Sequence, residues 1–292
     1  MAQIIDGKKI SSEIKDELKI KTEKLKAEKG IIPGLALLLV GEDPASKIYV
    51  SSKEKACSYV GFKSIVKRMP ETTSEEEVLD IVNQWNIDDS IHGILVQLPL
   101  PKHIDEQKVI MAIDPMKDVD GFHPESFGRL VIGLPGFVPC TPAGIMELLR
   151  RSNIETKGKH TVVLGRSNIV GKPIANLLYQ KRPDANSVVT ICHTGADDIK
   201  YYTRQADILI AAVGVPEIIK SDYIKEGVVI IDVGINRVED ATRERGYRLV
   251  GDVDYKDVFD KVSAITPVPG GVGPMTIAML LNNTYKSAAG EF

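Results

Sequence analysis

The sequence has little net charge, few cysteines, few histidines and no long apolar run, and each shortage closes off a class of protein. The formal charge is -3 over 292 residues, which gives no electrostatic footing on nucleic acid or an anionic membrane. A membrane-spanning helix needs about 20 apolar residues. The longest apolar stretch, "LALLLV" at 35–40, has the length of a buried strand. The N-terminal "MAQIIDGKKISSEIKDEL" mixes acids with bases and lacks the apolar centre of a signal peptide. Cys57, Cys140 and Cys192 are odd in number and form no C-x-x-C pair, so a reduced, cytoplasmic protein is expected. The 5 histidines are scattered without metal-ligand spacing, and no metal is expected.

What remains is ordinary globular material, 43% hydrophobic and 26% charged, with length for two domains. Short apolar runs alternate with helical patterns and no repeat is visible, which predicts an α/β protein with mainly parallel sheets. In the first half, a charged amphipathic helix over 11–29 precedes the strand "GLALLLV". Asp43-Pro44 then supplies an N-cap and a first-turn proline for a helix that stops at Gly61. "FKSIVKR" is a second strand. "SEEE" at 74–77 is a capping box for a helix with Val78, Ile81, Val82 and Trp85 on one face. "GILVQLPLP" is a third strand, stopped by its prolines, and a short helix follows near 105–112. Residues 114–141 read as a long irregular segment, packed rather than disordered and lining a cleft. In the second half, Thr141-Pro142 opens a helix. The strands "TVVLG", "SVVTIC", "DILIAAVG" and "GVVIIDVG" then alternate with helices, as in a nucleotide-binding doubly wound sheet. A last helix starts near Pro274 and is expected to pack back on the first domain.

Absences also shape the candidate sites. "VVLGRSNIVGKP" at 162–173 is a strand, a glycine turn and a helix start suited to a phosphate. Ser167 stands where G-x-G-x-x-G has its second glycine, so an ordinary strand-to-helix turn stays open as an alternative. The next strand, "VVTICHTG", ends without the acid that usually holds a ribose 2′-hydroxyl. Arg166 in the turn can pair with a 2′-phosphate instead, which points to NADP over NAD. Asp197 and Asp198 follow closely, and a helix from Gly195 is expected to carry them away. "ITPVPGGVGPMT" at 265–276 lacks the lysine of a phosphate loop. Tyr49 and Lys53 share a helix face at i, i+4. Gln97 sits at a strand end, and Asp118 and Asp120 precede Gly121. Ordinary amphipathicity, capping and Asx turns would also account for these last residues.

"YVSSKEKACSYVGF", "GILVQLPLP", "KDVDGFHP", "CTPAGI", "GRSNIVGKP", "VVTICH" and "PVPGGVGPMT" occur in this order. Together they resemble the bifunctional methylenetetrahydrofolate dehydrogenase/methenyltetrahydrofolate cyclohydrolase family over nearly the whole chain. The resemblance implies two α/β domains with a cleft between them, the second a Rossmann-like doubly wound parallel sheet, usually in a homodimer. It places the folate-binding catalytic domain at 1–140 plus 274–292 and the NADP-binding domain at 141–273. It implies NADP-dependent oxidation of 5,10-methylenetetrahydrofolate, then hydrolysis to 10-formyltetrahydrofolate. By the same resemblance Tyr49, Lys53, Gln97 and Asp120 line the folate site. Gly165, Arg166, Ser167, Thr194 and Ile235 hold the cofactor, with Thr194 where many members have serine. The loop carrying Gly270 and Gly271 lies beside both ligands, its backbone open to close approach. Lys53 is then the proton carrier for hydration, aimed by Gln97, while Asp120 accepts hydrogen bonds from the pterin edge. A dehydrogenase without cyclohydrolase activity, or a non-catalytic binder, are the alternatives. Lys53 argues against the first, and turnover would exclude the second.

Overall fold

The computed structural model describes residues 2–243 and 246–291. The chain forms two compact units, one of residues 1–11 and 141–276, the other of residues 12–140 and 277–292.

The second of these units is built on a parallel three-stranded sheet. Its strands are β2 (Gly34–Val40), β3 (Lys63–Met69) and β4 (Gly93–Val96), in the order β3-β2-β4. All seven residues of central β2 are buried, which is why it reads as an unbroken apolar run. Helix α2 (Pro44–Val60) is capped by Asp43, whose Oδ1 accepts from the Ser46 amide at 2.7 Å, and Gly61 ends it. Helix α3 (Glu75–Asn86) begins with the expected capping box between Ser74 and Glu77. Its Val78, Ile81, Val82 and Trp85 bury against a core with Ile94, Val96 and Val109. Each such valine is worth about 1.5–3 kcal/mol of removed apolar surface.

Helix α4 (Glu106–Ala112) follows β4. The segment 114–141 is more regular than the sequence suggested, because Pro124–Ile132 forms helix α5. His123 caps it by accepting from the Glu125 amide at 3.0 Å, Pro124 occupies its first turn and Gly133 closes it. Much of helix α10 (Val272–Ala289) belongs to this unit. There Asn283 Nδ2 donates to the carbonyls of Val119 at 2.9 Å and Val138 at 3.0 Å. The helix starts at Val272, two residues before the expected Pro274.

The other unit holds a six-stranded, all-parallel sheet in the order β1-β11-β8-β7-β5-β6. Its strands are β1 (Gln3–Ile4), β5 (His160–Leu164), β6 (Val188–Cys192), β7 (Ile208–Ala211), β8 (Val229–Asp232) and β11 (Ala264–Ile265). A hairpin of β9 (Asn236–Glu239) and β10 (Tyr247–Val250) follows β8. Helices α6 (Cys140–Arg151), α7 (Gly171–Leu178), α8 (Ile199–Thr203) and α9 (Tyr255–Val258) complete it, with a 3-10 turn at Ser221–Tyr223.

The sequence assigned residues 1–140 to one domain. The structure corrects this for the first eleven, because β1 pairs with β11 and the Lys8 amide donates to the Gly270 carbonyl at 2.9 Å. Helix α1 (Gly7–Lys29) starts in that close approach. A Cβ on Gly7 would stand 1.8 Å from the Gly271 carbonyl oxygen. Gly7→Ala is therefore expected to destabilise the protein by about 1–3 kcal/mol, as overpacking does. In urea unfolding the midpoint should fall with an unchanged slope.

Candidate functional site

One cluster lies wholly in the unit of residues 12–140 and 277–292. Lys53 projects from α2 and is 8% exposed, which an ammonium tolerates only with an acceptor. The acceptor is Gln97, at the residue after β4: Lys53 Nζ donates to Gln97 Oε1 at 3.0 Å. Gln97 is itself aimed, its Nε2 donating to the Leu98 carbonyl at 2.7 Å and its amide to the Leu38 carbonyl at 2.9 Å. Tyr49, one helical turn before Lys53, is 45% exposed on the same helix. The expectation that Gln97 accepts from Lys53 is met in the structure.

Asp120 joins this cluster. Burial raises its carboxyl above the ordinary range, against the opposing pull of the Lys53 charge and a hydrogen bond from the Cys140 thiol. A half-buried acid facing a cation is suited to gripping a polar ligand edge. Asp118, its neighbour in sequence, has a different task. It is 2% exposed and accepts from the amides of Phe122 (3.3 Å) and His123 (2.8 Å) and from Ser126 Oγ (3.0 Å). Asp118 thus fixes the turn that presents Asp120. Residue pattern alone left both acids as turn formers, and only the family resemblance singled out Asp120; the hydrogen bonds give Asp118 the turn.

The second cluster lies in the unit of residues 1–11 and 141–276. Strand β5 runs into Gly165, where φ is +132° and a Cβ would stand 2.2 Å from the Ala212 carbonyl oxygen. At Gly171 a Cβ would stand 2.4 Å from the Gly165 oxygen. The turn is therefore backbone packed on backbone, between neighbouring strands β5 and β7 whose crossovers diverge, where doubly wound sheets take dinucleotides. Arg166 and Ser167 are exposed at its rim. Ser167 Oγ accepts from the amides of Val170 at 3.2 Å and Gly171 at 3.3 Å, which leaves its proton to donate elsewhere. Exposed Thr194 follows β6, and Ile235, 48% exposed, follows β8.

Two expectations change. The helix foreseen from Gly195 starts at Ile199, because Asp198 caps it, accepting from the Lys200 amide at 2.9 Å; Asp197 stands before it. Gly271 is buried, and a Cβ there would meet the Pro267 carbonyl oxygen at 2.6 Å, so packing within its own unit already demands that glycine. Gly270 has open space beside it, its nearest neighbour being Pro267 at 3.9 Å.

A dinucleotide turn in one unit and a buried Lys–Gln pair in the other define a two-domain, nucleotide-dependent α/β enzyme. Residues 5–120 match the catalytic domain of tetrahydrofolate dehydrogenase/cyclohydrolase, and residues 139–292 match its NAD(P)-binding domain. The chain is 59% identical over 286 residues to "Bifunctional protein FolD" of Chlorobium chlorochromatii, covering 97% of each. It is also similar to the crystal structure of the bifunctional FolD enzyme of Campylobacter jejuni, at 51% identity and a TM-score of 0.94 over 99% of both chains. The FolD of Trypanosoma brucei, solved with NADP and an inhibitor, is 39% identical with a TM-score of 0.92, over 99% of this chain and 97% of that one. The chain belongs to the tetrahydrofolate dehydrogenase/cyclohydrolase family.

The network around Asp118 has a measurable signature. Burial pushes its carboxyl up to about 7 from an ordinary 3.8. The fold therefore disfavours the charged form, and the stability that Asp118 contributes is present at low pH and lost as pH rises through that window. The stability advantage of wild type over Asp118→Asn should shrink between pH 4 and pH 7, followed by urea unfolding at each pH. A constant difference would show that Asp118 does not titrate there.

Proposed function

We propose that the protein oxidises 5,10-methylenetetrahydrofolate to the 5,10-methenyl cation with NADP and then hydrolyses that cation to 10-formyltetrahydrofolate. The observation that carries this is the buried Lys53 ammonium held on Gln97. Hydride loss needs no base, since the folate nitrogens stabilise the cation that forms. Hydration does need proton transfers: water adds to the methenyl carbon and loses a proton, the resulting hydroxyl loses its own as the carbonyl forms and the carbon–N5 bond breaks, and N5 gains one, so that one proton is released in all. Lys53 is the group that moves these protons, and Gln97 holds its Nζ in direction. Asp120 accepts from the amino-pyrimidinone edge of the pterin, and Tyr49 presents its ring to the substrate. Of the two loop glycines, Gly270 is the one with open space for a ligand beside it.

NADP, when bound, accepts the hydride. The backbone-lined turn at Gly165 and Gly171 fits its pyrophosphate, with Ser167, Thr194 and Ile235 around it. Arg166 pairs with the 2′-phosphate, and Asp198 is committed to its helix cap. The unit of residues 12–140 and 277–292 is the folate domain, and that of 1–11 and 141–276 the NADP domain. A homodimer is supported by edge strand β6, whose Val188 and Ile191 are 65% and 45% exposed. Three free, buried cysteines fit a reduced cytoplasm. Among the described residues no helix is long and apolar enough to cross a membrane.

Lys53→Met should abolish cyclohydrolase activity and lower dehydrogenase activity less, by up to the roughly 10²-fold that misplacement costs. Separate assays of reduced cofactor and methenyl hydrolysis check this, and two activities near wild type would make Lys53 structural. Arg166→Ala should raise the KM for NADP by about one to two decades and leave that for NAD nearly unchanged. Equal loss with both cofactors would assign Arg166 to the pyrophosphate.

A further inference from the structure

Two carboxylates outside the contacts described so far are almost wholly buried. Asp232 ends β8 and is 4% exposed; Asp252 follows β10 and is 0% exposed. Hydrogen bonds from backbone amides and one asparagine hold them. Asp232 Oδ1 accepts from the amides of Gly234 (3.0 Å) and Asp252 (2.9 Å), and its Oδ2 from Val253 (3.0 Å). Asp252 passes the link on. Its Oδ2 accepts from the amides of Val213 (2.7 Å) and Gly214 (2.9 Å), and its Oδ1 from Asn236 Nδ2 (2.9 Å).

Space is matched to these bonds. A Cβ on Gly251 would lie 1.8 Å from Asp232 Oδ2, and one on Gly234 would lie 2.3 Å from Asp252 Oδ1. Two buried acids side by side are an expensive way to hold a loop. Burial pushes Asp232 up to about 7, and the neighbouring Asp252 charge adds to the rise. Apolar packing would fill the same volume without that penalty. What apolar packing cannot do is fix three chain segments by their amides.

Those segments are 213–214 after β7, 234–236 after β8, and 251–253. The first two leave the C-terminal ends of adjacent parallel strands, the edge where doubly wound sheets bind nucleotides. Ala212, beside Val213, is the residue whose carbonyl abuts Gly165 of the glycine turn. Ile235 sits beside Asn236.

We propose that Asp252, itself held through Asp232, is a positioning residue for the dinucleotide. It sets the 213–214 loop and the Ile235–Asn236 segment in place before the cofactor arrives, so that binding does not have to order them. The inference rests on the NADP reading above.

The chemistry ranks two variants. In Asp252→Asn the amide oxygen can still accept from Val213 and Gly214, while its NH2 meets Asn236 turned to present oxygen. In Asp252→Ala all three donors lose their partner. NADP and tetrahydrofolate are each titrated into the full-length wild type, Asp252→Asn, Asp252→Ala and Asn236→Ala, and KM and kcat are measured alongside. Asp252→Ala should weaken NADP binding and raise its KM by about tenfold or more, within the range that misplacement costs. Tetrahydrofolate affinity, and kcat at saturating NADP, should change by less than about threefold, and Asp252→Asn should recover most of the NADP affinity. If Asp252→Ala does not fold, Asn236→Ala takes its place, with about a threefold loss of NADP affinity expected from one missing hydrogen bond. Wild-type NADP affinity in the variant that is read, or loss of both ligands by the same factor, overturns the proposal. A wild type that binds no NADP overturns the cofactor reading itself, which the wild-type titration reports separately.

Discussion

A lysine ammonium taken out of water needs an acceptor, and the placement of Gln97 under Lys53 organises much of the unit of residues 12–140 and 277–292. Helix α2 must arrive with one face down, which its Asp43 cap and Pro44 fix. Strand β4 must end at Val96 so that the next side chain turns toward the helix rather than into the sheet. The cation also helps Asp120 to hold charge against its own burial. Around that one hydrogen bond the unit gathers the three groups, Lys53, Gln97 and Asp120, on which the proposed hydration draws.

The elements legible in the sequence were those whose signals are local. The capping box at Ser74, the Asp43-Pro44 start and the apolar run of β2 each carry their physics within a few residues, and all appear as expected. What escaped was nonlocal or unusual. Strands β1 and β11 are two residues each and exist only because they pair with each other and with β8. The β9–β10 hairpin is rich in charge and has no apolar alternation. Helix α5 hid behind a histidine cap, although Pro124 and Gly133 bracket it as a first-turn proline and a terminal glycine should.

The same division holds at the sites. Gln97 was visible because a polar side chain at a buried strand end demands a partner, whereas Lys53 on its helix stood out only through the family resemblance. Asp118 and Asp120 were separable only by the family resemblance, since their physical difference lies in which amides curl back toward them. Asp232 and Asp252 gave no signal at all. Each reads as a turn acid, and their joint meaning arises only where loops distant in sequence meet. Gly271 is ambiguous for a related reason: a missing side chain can serve a ligand or the chain's own packing, and Pro267 and Thr266 are what a side chain there would strike.

The pairing of β1 with β11 has a consequence for how the protein is made. Strand β1 finds its partner far along the chain in β11, so the six-stranded sheet cannot close that edge until β11 has been made. The other unit waits too, since Asn283 on α10 ties Val119 and Val138. Contacts of such long sequence separation slow folding and leave partly built surfaces exposed meanwhile. The nascent chain thus holds two unfinished units at once, and helix α10 completes both.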